Sequence, residues 1–340
     1  MAGFVIERHG YTTAAALTVS LIQDMLANGF VQKFPTGGTF DPTKVVNKYR
    51  ITMEAGPDVD PLNAASVTEK QPWRVTLDLT DTQRLFMYVA TPTQLTDDGK
   101  VAAELTSASV ANDILGFIGD PVGTAGLTAE GIYTPTTDSV TKGLINRQVR
   151  VDTKGSSYPL SYRLVISPRG MWLGVWEDAI SAESAAFYNW VLVQRPVDRT
   201  NGAVLTTGKA PVFCVNCVGN SYTQFVVREQ DILRPGLRRP ADRNTPDSEA
   251  VLNSRNQVAL SEDGKYVVTF PSRLNSSRYR YPHELDMMGI TSADVVSQYS
   301  DVPLQFYGEP QARVYKALHA NGGTNIGMRT LILQQGGGIS

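Results

Sequence analysis

The stretch "WRVTLDLT", residues 73–80, alternates without a slip, with Trp73, Val75, Leu77 and Leu79 on one side and polar side chains on the other. A period of two belongs to a β-strand with one face on a core. The texture recurs along the chain. In "VVNKYRITMEAG", Tyr49, Ile51 and Met53 oppose Val46, Lys48, Arg50 and Thr52, while the more continuously apolar "RLFMYVATP" suits a central strand. Further strand-like runs are "INRQVRVD", "LSYRLVIS", "MWLGVWED", "FYNWVLVQRP", "PVFCVNCVG" and "YTQFVVREQD". The 340 residues include 29 Gly and 19 Pro, and turn dipeptides are scattered among the runs. Many short strands, and few long helices, are therefore expected.

One segment keeps a different period. In "TTAAALTVSLIQDMLANG", Leu17, Leu21 and Met25 recur every four residues, and Ile22 and Leu26 widen the stripe. Thr12 or Thr13 can cap the first turn, and Gly29 after Asn28 supplies a left-handed stop. A face this broad must dock, either on the chain's own sheet or on a neighbouring subunit.

Residues 95–144, rich in Gly, Thr, Ser and Ala, break the strand rhythm and read as a long inserted loop. Residues 232–256 are polar, Arg-rich and punctuated by Pro235, Pro240 and Pro246, which is the composition of an arm or linker. Beyond them, Asp263-Gly264 sits between two alternating runs and predicts a hairpin. Two more strands are expected around Asn321-Gly322. The expected fold is mainly β (α+β), a sandwich or distorted barrel with an N-terminal helix. Residues 1–231 form its core with the inserted loop, 232–256 the arm, and 257–340 a smaller C-terminal β-rich portion.

Three of the four tryptophans fall within residues 170–196. On a strand, Trp172, Gly174 and Trp176 share one face, and Met171, Leu173 and Val175 share the other. This strand is therefore expected to be covered on both sides. Trp190 and Leu192 share a face of the next run. Aromatics on neighbouring strands pair well, so Trp172, Trp176 and Trp190 read as a structural cluster. The alternative is a carbohydrate-binding or receptor-recognition platform, or a glycan hydrolase, with Glu177 and Asp178 gripping hydroxyls. It requires Trp172 or Trp176 to be exposed in a groove.

Chemical motifs are sparse. Cys214 and Cys217 have C-x-x-C spacing, but "PVFCVNCVGN" reads as a strand and not as the helix start that activates a redox thiol; two buried thiols are expected. His9, His283 and His319 show no metal spacing. "GNSYT" lacks the closing glycine of a nucleophile elbow, and "PDVDP", with Asp58 and Asp60, reads as an exposed turn. Asn275-Ser276-Ser277 matches a glycosylation sequon by pattern only. No catalytic, cofactor or metal residues are assigned, and no enzyme activity is expected. Glu7 and Arg8 precede any long apolar core, so no secretory signal is expected, and no apolar run is long enough to span a bilayer.

The net charge is −2, but residues 228–280 carry nine Arg and one Lys against seven acids, a local +3 that leaves −5 elsewhere. Arg234, Arg238, Arg239, Arg243, Arg273, Arg278 and Arg280, interleaved with Tyr279 and Tyr281, are therefore the candidate inter-subunit contacts. Arg and Tyr are favoured in such interfaces. The modest size of the patch and its interspersed acids argue against nucleic acid as the partner.

The "GMWLGVWED" and "FYNWVLVQRPVDRTNG" strands, the arm "LRPGLRRPADRNTP" and the tail "RVYKALHANGGTNIGMRTLILQQGGG" together resemble the structural proteins of tailed bacteriophage virions. The resemblance implies a mainly β viral structural protein, made in the host cytoplasm and built into the tail, baseplate or neck. It implies a homo-oligomer whose partners are its own copies and other virion proteins, with no cofactor and no catalytic residue carried over.

Overall fold

A computed structural model describes residues 4–36, 38–46, 48–68, 72–81, 84–90, 127–132, 151–152, 159–177, 189–195, 197–198, 212–217, 226–230, 258–260, 267–269, 283–284, 287–292, 296–297, 299–304, 312–319 and 328–335. The chain opens with strand β1 (Phe4–Tyr11), helix α1 (Ala14–Ala27), β2 (Phe30–Phe34), β3 (Tyr49–Ala55), β4 (Arg74–Asp81) and β5 (Arg84–Ala90). It continues through β6 (Val151–Asp152), β7 (Leu160–Ser167), β8 (Gly170–Glu177), β9 (Asn189–Gln194), β10 (Val197–Asp198), β11 (Val212–Cys217) and β12 (Val226–Gln230). The C-terminal part holds β13 (Val258–Leu260), β14 (Val267–Thr269), β15 (His283–Glu284), β16 (Met288–Ser292), β17 (Asp301–Leu304), β18 (Arg313–His319) and β19 (Met328–Gln335).

These strands form three larger antiparallel sheets, ordered β2-β3-β4-β5-β6, β1-β7-β8-β9-β11-β12 and β13-β14-β16-β19-β18-β17, plus the short β10-β15 pair. The protein is mainly β with an N-terminal helix, as its patterning requires. Among the described residues no sheet closes into a barrel. Among the described residues the apolar run β5 lies between β4 and the two-residue edge strand β6.

Helix α1 forms where the four-residue period lies. Thr13 caps it by accepting the Ala16 N–H at 3.1 Å, and Gly29 leaves it at φ +97°. Its buried side chains Leu17, Leu21, Ile22 and Met25 belong to one core shared by two sheets. The helix packs against β1 and β7 of one sheet and against β2, β4 and β5 of the other. The first sheet contributes Tyr49, Ile51 and Met53 opposite Leu79, Leu77 and Val75; the second contributes Leu164, Leu173 and Val191 in register. Fully burying each such side chain stabilises by about 1.5–3 kcal/mol.

The other face of the central β7-β8-β9 sheet is buried as well, through Ser161, Arg163, Val165, Trp172, Trp176, Leu192 and Gln194. Covering on both sides is what the doubly apolar "MWLGVW" pattern requires. Part of the cover comes from the C-terminal sheet through Met287. The Met287 N–H donates to Gln194 Oε1 at 3.1 Å, and its carbonyl accepts the Leu333 N–H at 2.9 Å. Ser167 Oγ also reaches Met287 Sδ, at 3.5 Å.

Both expected C-terminal hairpins pair antiparallel, β13 with β14 and β18 with β19. The Asp263-Gly264 turn itself lies outside the described residues, as does most of the inserted loop. Within that loop residues 127–132 are described, and they dock on the body. The Gly131 carbonyl accepts the Arg50 N–H at 2.8 Å, Ile132 bridges Tyr49, and Lys44 pairs with Glu130 at 3.2 Å.

Candidate functional site

The arginine and tyrosine contacts expected from sequence (Arg234, Arg238, Arg239, Arg243, Arg273, Arg278, Tyr279, Arg280 and Tyr281) lie outside the described residues. The tryptophans can be placed. Trp172 is 0 % and Trp176 9 % exposed, and the backbone of Trp190 in β9 pairs with Gly174 on one side and Cys217 on the other. A fully buried indole offers no face to a pyranose ring, so Trp172 acts by packing. Glu177 closes β8 opposite Leu160, and Asp178 lies outside the described residues. Cys214 and Cys217 sit on strand β11, and the three histidines belong to three different sheets. Among the described residues no three His, Cys, Asp or Glu side chains come close enough to hold a metal ion, and no helix is long and apolar enough to cross a membrane.

What the structure does bring together is a set of polar clusters at the joints between elements. The deepest joins Asp60 to Arg195, both 0 % exposed. Asp60 opens a 3-10 turn (Pro61–Asn63) with Oδ1 accepting the Leu62 N–H at 3.1 Å, while Oδ2 accepts the Trp73 N–H at 3.2 Å. Arg195 then donates Nε to Oδ1 at 3.2 Å and Nη2 to Oδ2 at 3.0 Å. The carboxylate thus takes four donors, and its fork-to-fork pairing links the β3–β4 connection to the end of β9. The expectation of an exposed "PDVDP" turn holds for Asp58 and fails for Asp60. The Asp-Pro turn chemistry is local, but a guanidinium from 135 positions further along pulls the carboxylate inside.

A second cluster fastens α1 to β1 and β7. Arg8 donates Nε and Nη2 to the two oxygens of Asp24 at 3.1 and 3.0 Å, and Tyr162 Oη donates to Asp24 Oδ2 at 2.6 Å. Tyr162 spends its one hydrogen there, so Ser20 Oγ donates to Tyr162 at 2.8 Å and Tyr11 donates to Ser20 at 2.6 Å. A one-way chain of hydroxyls therefore ends on a carboxylate. Burial pushes the Asp24 carboxyl up, but the Arg8 fork and the Tyr162 hydroxyl outweigh it and hold the group below its ordinary value. Burial first, and then the bond to Asp24, push the Tyr162 phenol well above the usual range. Tyr49 is raised by burial to about 12, with the charge of Asp41 adding.

The third cluster has the residue types of acyl-transfer chemistry. On the back of the central sheet His9 Nδ1 stands 3.0 Å from Ser161 Oγ, and His9 Nε2 stands 3.1 Å from Glu7 Oε1. These distances match a nucleophile, a base and an orienting carboxylate. The setting does not suit attack. Ser161 is 0 % exposed in a strand laddered on both sides, the Trp176 ring meets the imidazole edge-on at 6.0 Å, and Glu7 is already paired with Arg163. The cluster works as a cross-strand brace for β1 against β7.

A fourth set lies on the outer face of β3 and β4, where Arg50–Asp78 at 2.7 Å, Thr52–Thr76 at 2.9 Å and Arg74–Glu54 at 3.0 Å pair across the strands. The Arg50 and Asp78 side chains are 1 % and 0 % exposed, so this polar face is also interior. No family model, curated protein or solved structure matches this chain.

Proposed function

We propose that the chain is a structural component of a bacteriophage virion, of the tail or baseplate, acting through contacts between its copies and with other virion proteins. The observation that carries this reading is how the described body pairs its charges, two of the pairs fully buried. Asp60–Arg195, Arg8–Asp24, Glu7–Arg163 and Arg50–Asp78 each tie elements 16 to 156 positions apart. A core shared by two sheets and a helix, with a third sheet bonded to its back, makes a stiff body suited to passing load between neighbours. The Pro/Arg-rich stretch 232–256 supplies the chemistry for reaching those neighbours.

The test is direct. Particles are purified and disassembled, and the chain is sought among their proteins by mass spectrometry, while light scattering follows the isolated chain. Recovery from particles together with species larger than one chain is expected. A chain absent from particles and strictly monomeric at high concentration overturns the reading.

A further inference from the structure

We infer that residues 127–132 form a releasable catch, which fastens the inserted segment to the body and opens as a unit while the sheet beneath it stays folded. The inference does not depend on the assembly reading above.

The turn is built from its own residues. The Thr128 N–H donates to the Ile132 carbonyl at 2.8 Å, and the Gly131 N–H donates back to the Thr128 carbonyl at 3.0 Å. Thr128 Oγ1 accepts the N–H groups of Glu130 and Ile132, each at 3.3 Å. One threonine thus closes the loop through both its backbone and its hydroxyl, so the loop's shape does not need the body.

Its seat is the part of β3 that β2 does not reach. Strand β2 ends at Phe34, opposite Thr52, and the Pro35 that follows has no N–H, while β3 runs back to Tyr49. The loop takes up the vacated lane. Ile132 bridges Tyr49 antiparallel, and the Gly131 carbonyl accepts the Arg50 N–H at 2.8 Å. The fit is steric as well as polar. Gly131 stands at φ +81°, where a Cβ would lie 2.5 Å from the Arg50 carbonyl oxygen, 2.9 Å from Pro35 Cγ and 3.2 Å from the Tyr49 ring. Only a residue without a side chain seats there.

What holds the catch differs from what holds the strand under it. Beside the ladder bond, Lys44 Nζ meets Glu130 at 3.2 Å, and this pair is exposed, so water and salt screen it. Tyr49 and Arg50 are held from the other side, in register with Leu79 and Asp78 of β4, and the Arg50–Asp78 pair is buried. Lifting the loop therefore leaves the β3–β4 register and the buried pair in place. Segments that rearrange are drawn from such low-stability units.

The experiment is hydrogen exchange of the full chain at residue resolution, repeated in low, non-denaturing urea. The Arg50 N–H faces the catch, and by alternation those of Ile51 and Met53 face β4. The Arg50 amide should exchange at least about tenfold faster than these two and with little dependence on urea, because opening the catch exposes little surface. Gly131→Ala should speed Arg50 by at least about a further tenfold, the scale of one left-handed penalty, and leave Ile51, Met53 and the melting temperature as in the wild type. Thr128→Ala, which loosens the loop itself, should act in the same direction. Gly10→Ala carries left-handed strain with open space around its Cβ and should leave Arg50 unchanged. If Arg50 in the wild type shares the rate and urea dependence of Ile51 and Met53, the loop opens only with the sheet and the inference is overturned. It is overturned equally if Gly131→Ala leaves Arg50 as protected as before, or speeds all three amides alike.

Discussion

Replacing Arg195 with methionine removes the guanidinium from the Asp60 carboxylate while keeping an aliphatic stem of similar reach. Both side chains are 0 % exposed, so no water stands ready to replace the two donors lost at 3.0 and 3.2 Å. Each hydrogen bond to a charged group is worth about 1.5–3 kcal/mol. The carboxylate would be left with only the Leu62 and Trp73 N–H groups among the described residues. Breaking a buried pair from one side costs about 3–5 kcal/mol, because the remaining charge stays desolvated. Arg195→Met should therefore lower the unfolding free energy by about that amount, read from urea titrations at neutral pH. Asp60→Asn/Arg195→Met should cost less than the sum of its two single changes, with a coupling of about 2 kcal/mol. A single change costing under about 1 kcal/mol, or strict additivity, would refute the claim that this pair braces the two sheets.

Three further outcomes follow from the geometry. The Asp24 carboxyl is held below its ordinary value in the folded chain, so its contribution is complete above that ordinary value and is lost as pH falls through the depressed one. Urea midpoints between about pH 5 and pH 1 should fall less steeply for Asp24→Asn than for the wild type. Tyr49 and Tyr162 are raised, so the stability tied to them is present below the ordinary phenol value and is lost as pH rises, for Tyr49 through about 12. Ultraviolet phenolate titration should find both silent until alkaline unfolding, and early ionisation of two tyrosines beyond the exposed ones would contradict their burial. Gly170 stands at φ +148°, where a Cβ would lie 2.0 Å from the Val193 carbonyl oxygen. Gly170→Ala should cost at least about 2 kcal/mol, against about 1 kcal/mol for Gly10→Ala, whose Cβ meets nothing within 4 Å. Equal midpoints for the two variants would contradict that difference.

Local order set much of the architecture in advance. The four-residue stripe from Leu17 to Met25 with Thr13 before it and Gly29 after it could only be a capped helix, and the alternation in "WRVTLDLT" could only be a strand with Trp73 inward. Those signals lie within one turn or one pleat of each other, so neighbouring residues suffice to express them. Strand β1 is not legible locally, because "FVIERHGY" alternates poorly and gains its character by pairing with β7. The Asp-Pro cap at Asp60 is equally local, since Asp41-Pro42 repeats it and Asp41 accepts the Thr43 N–H at 2.9 Å. Whether such a carboxylate faces water or the interior is not local. Arg195 decides it for Asp60. A periodic pattern chooses which face is buried, but the partner of a buried charge depends on which strands lie side by side, and that is set only when the chain closes on itself.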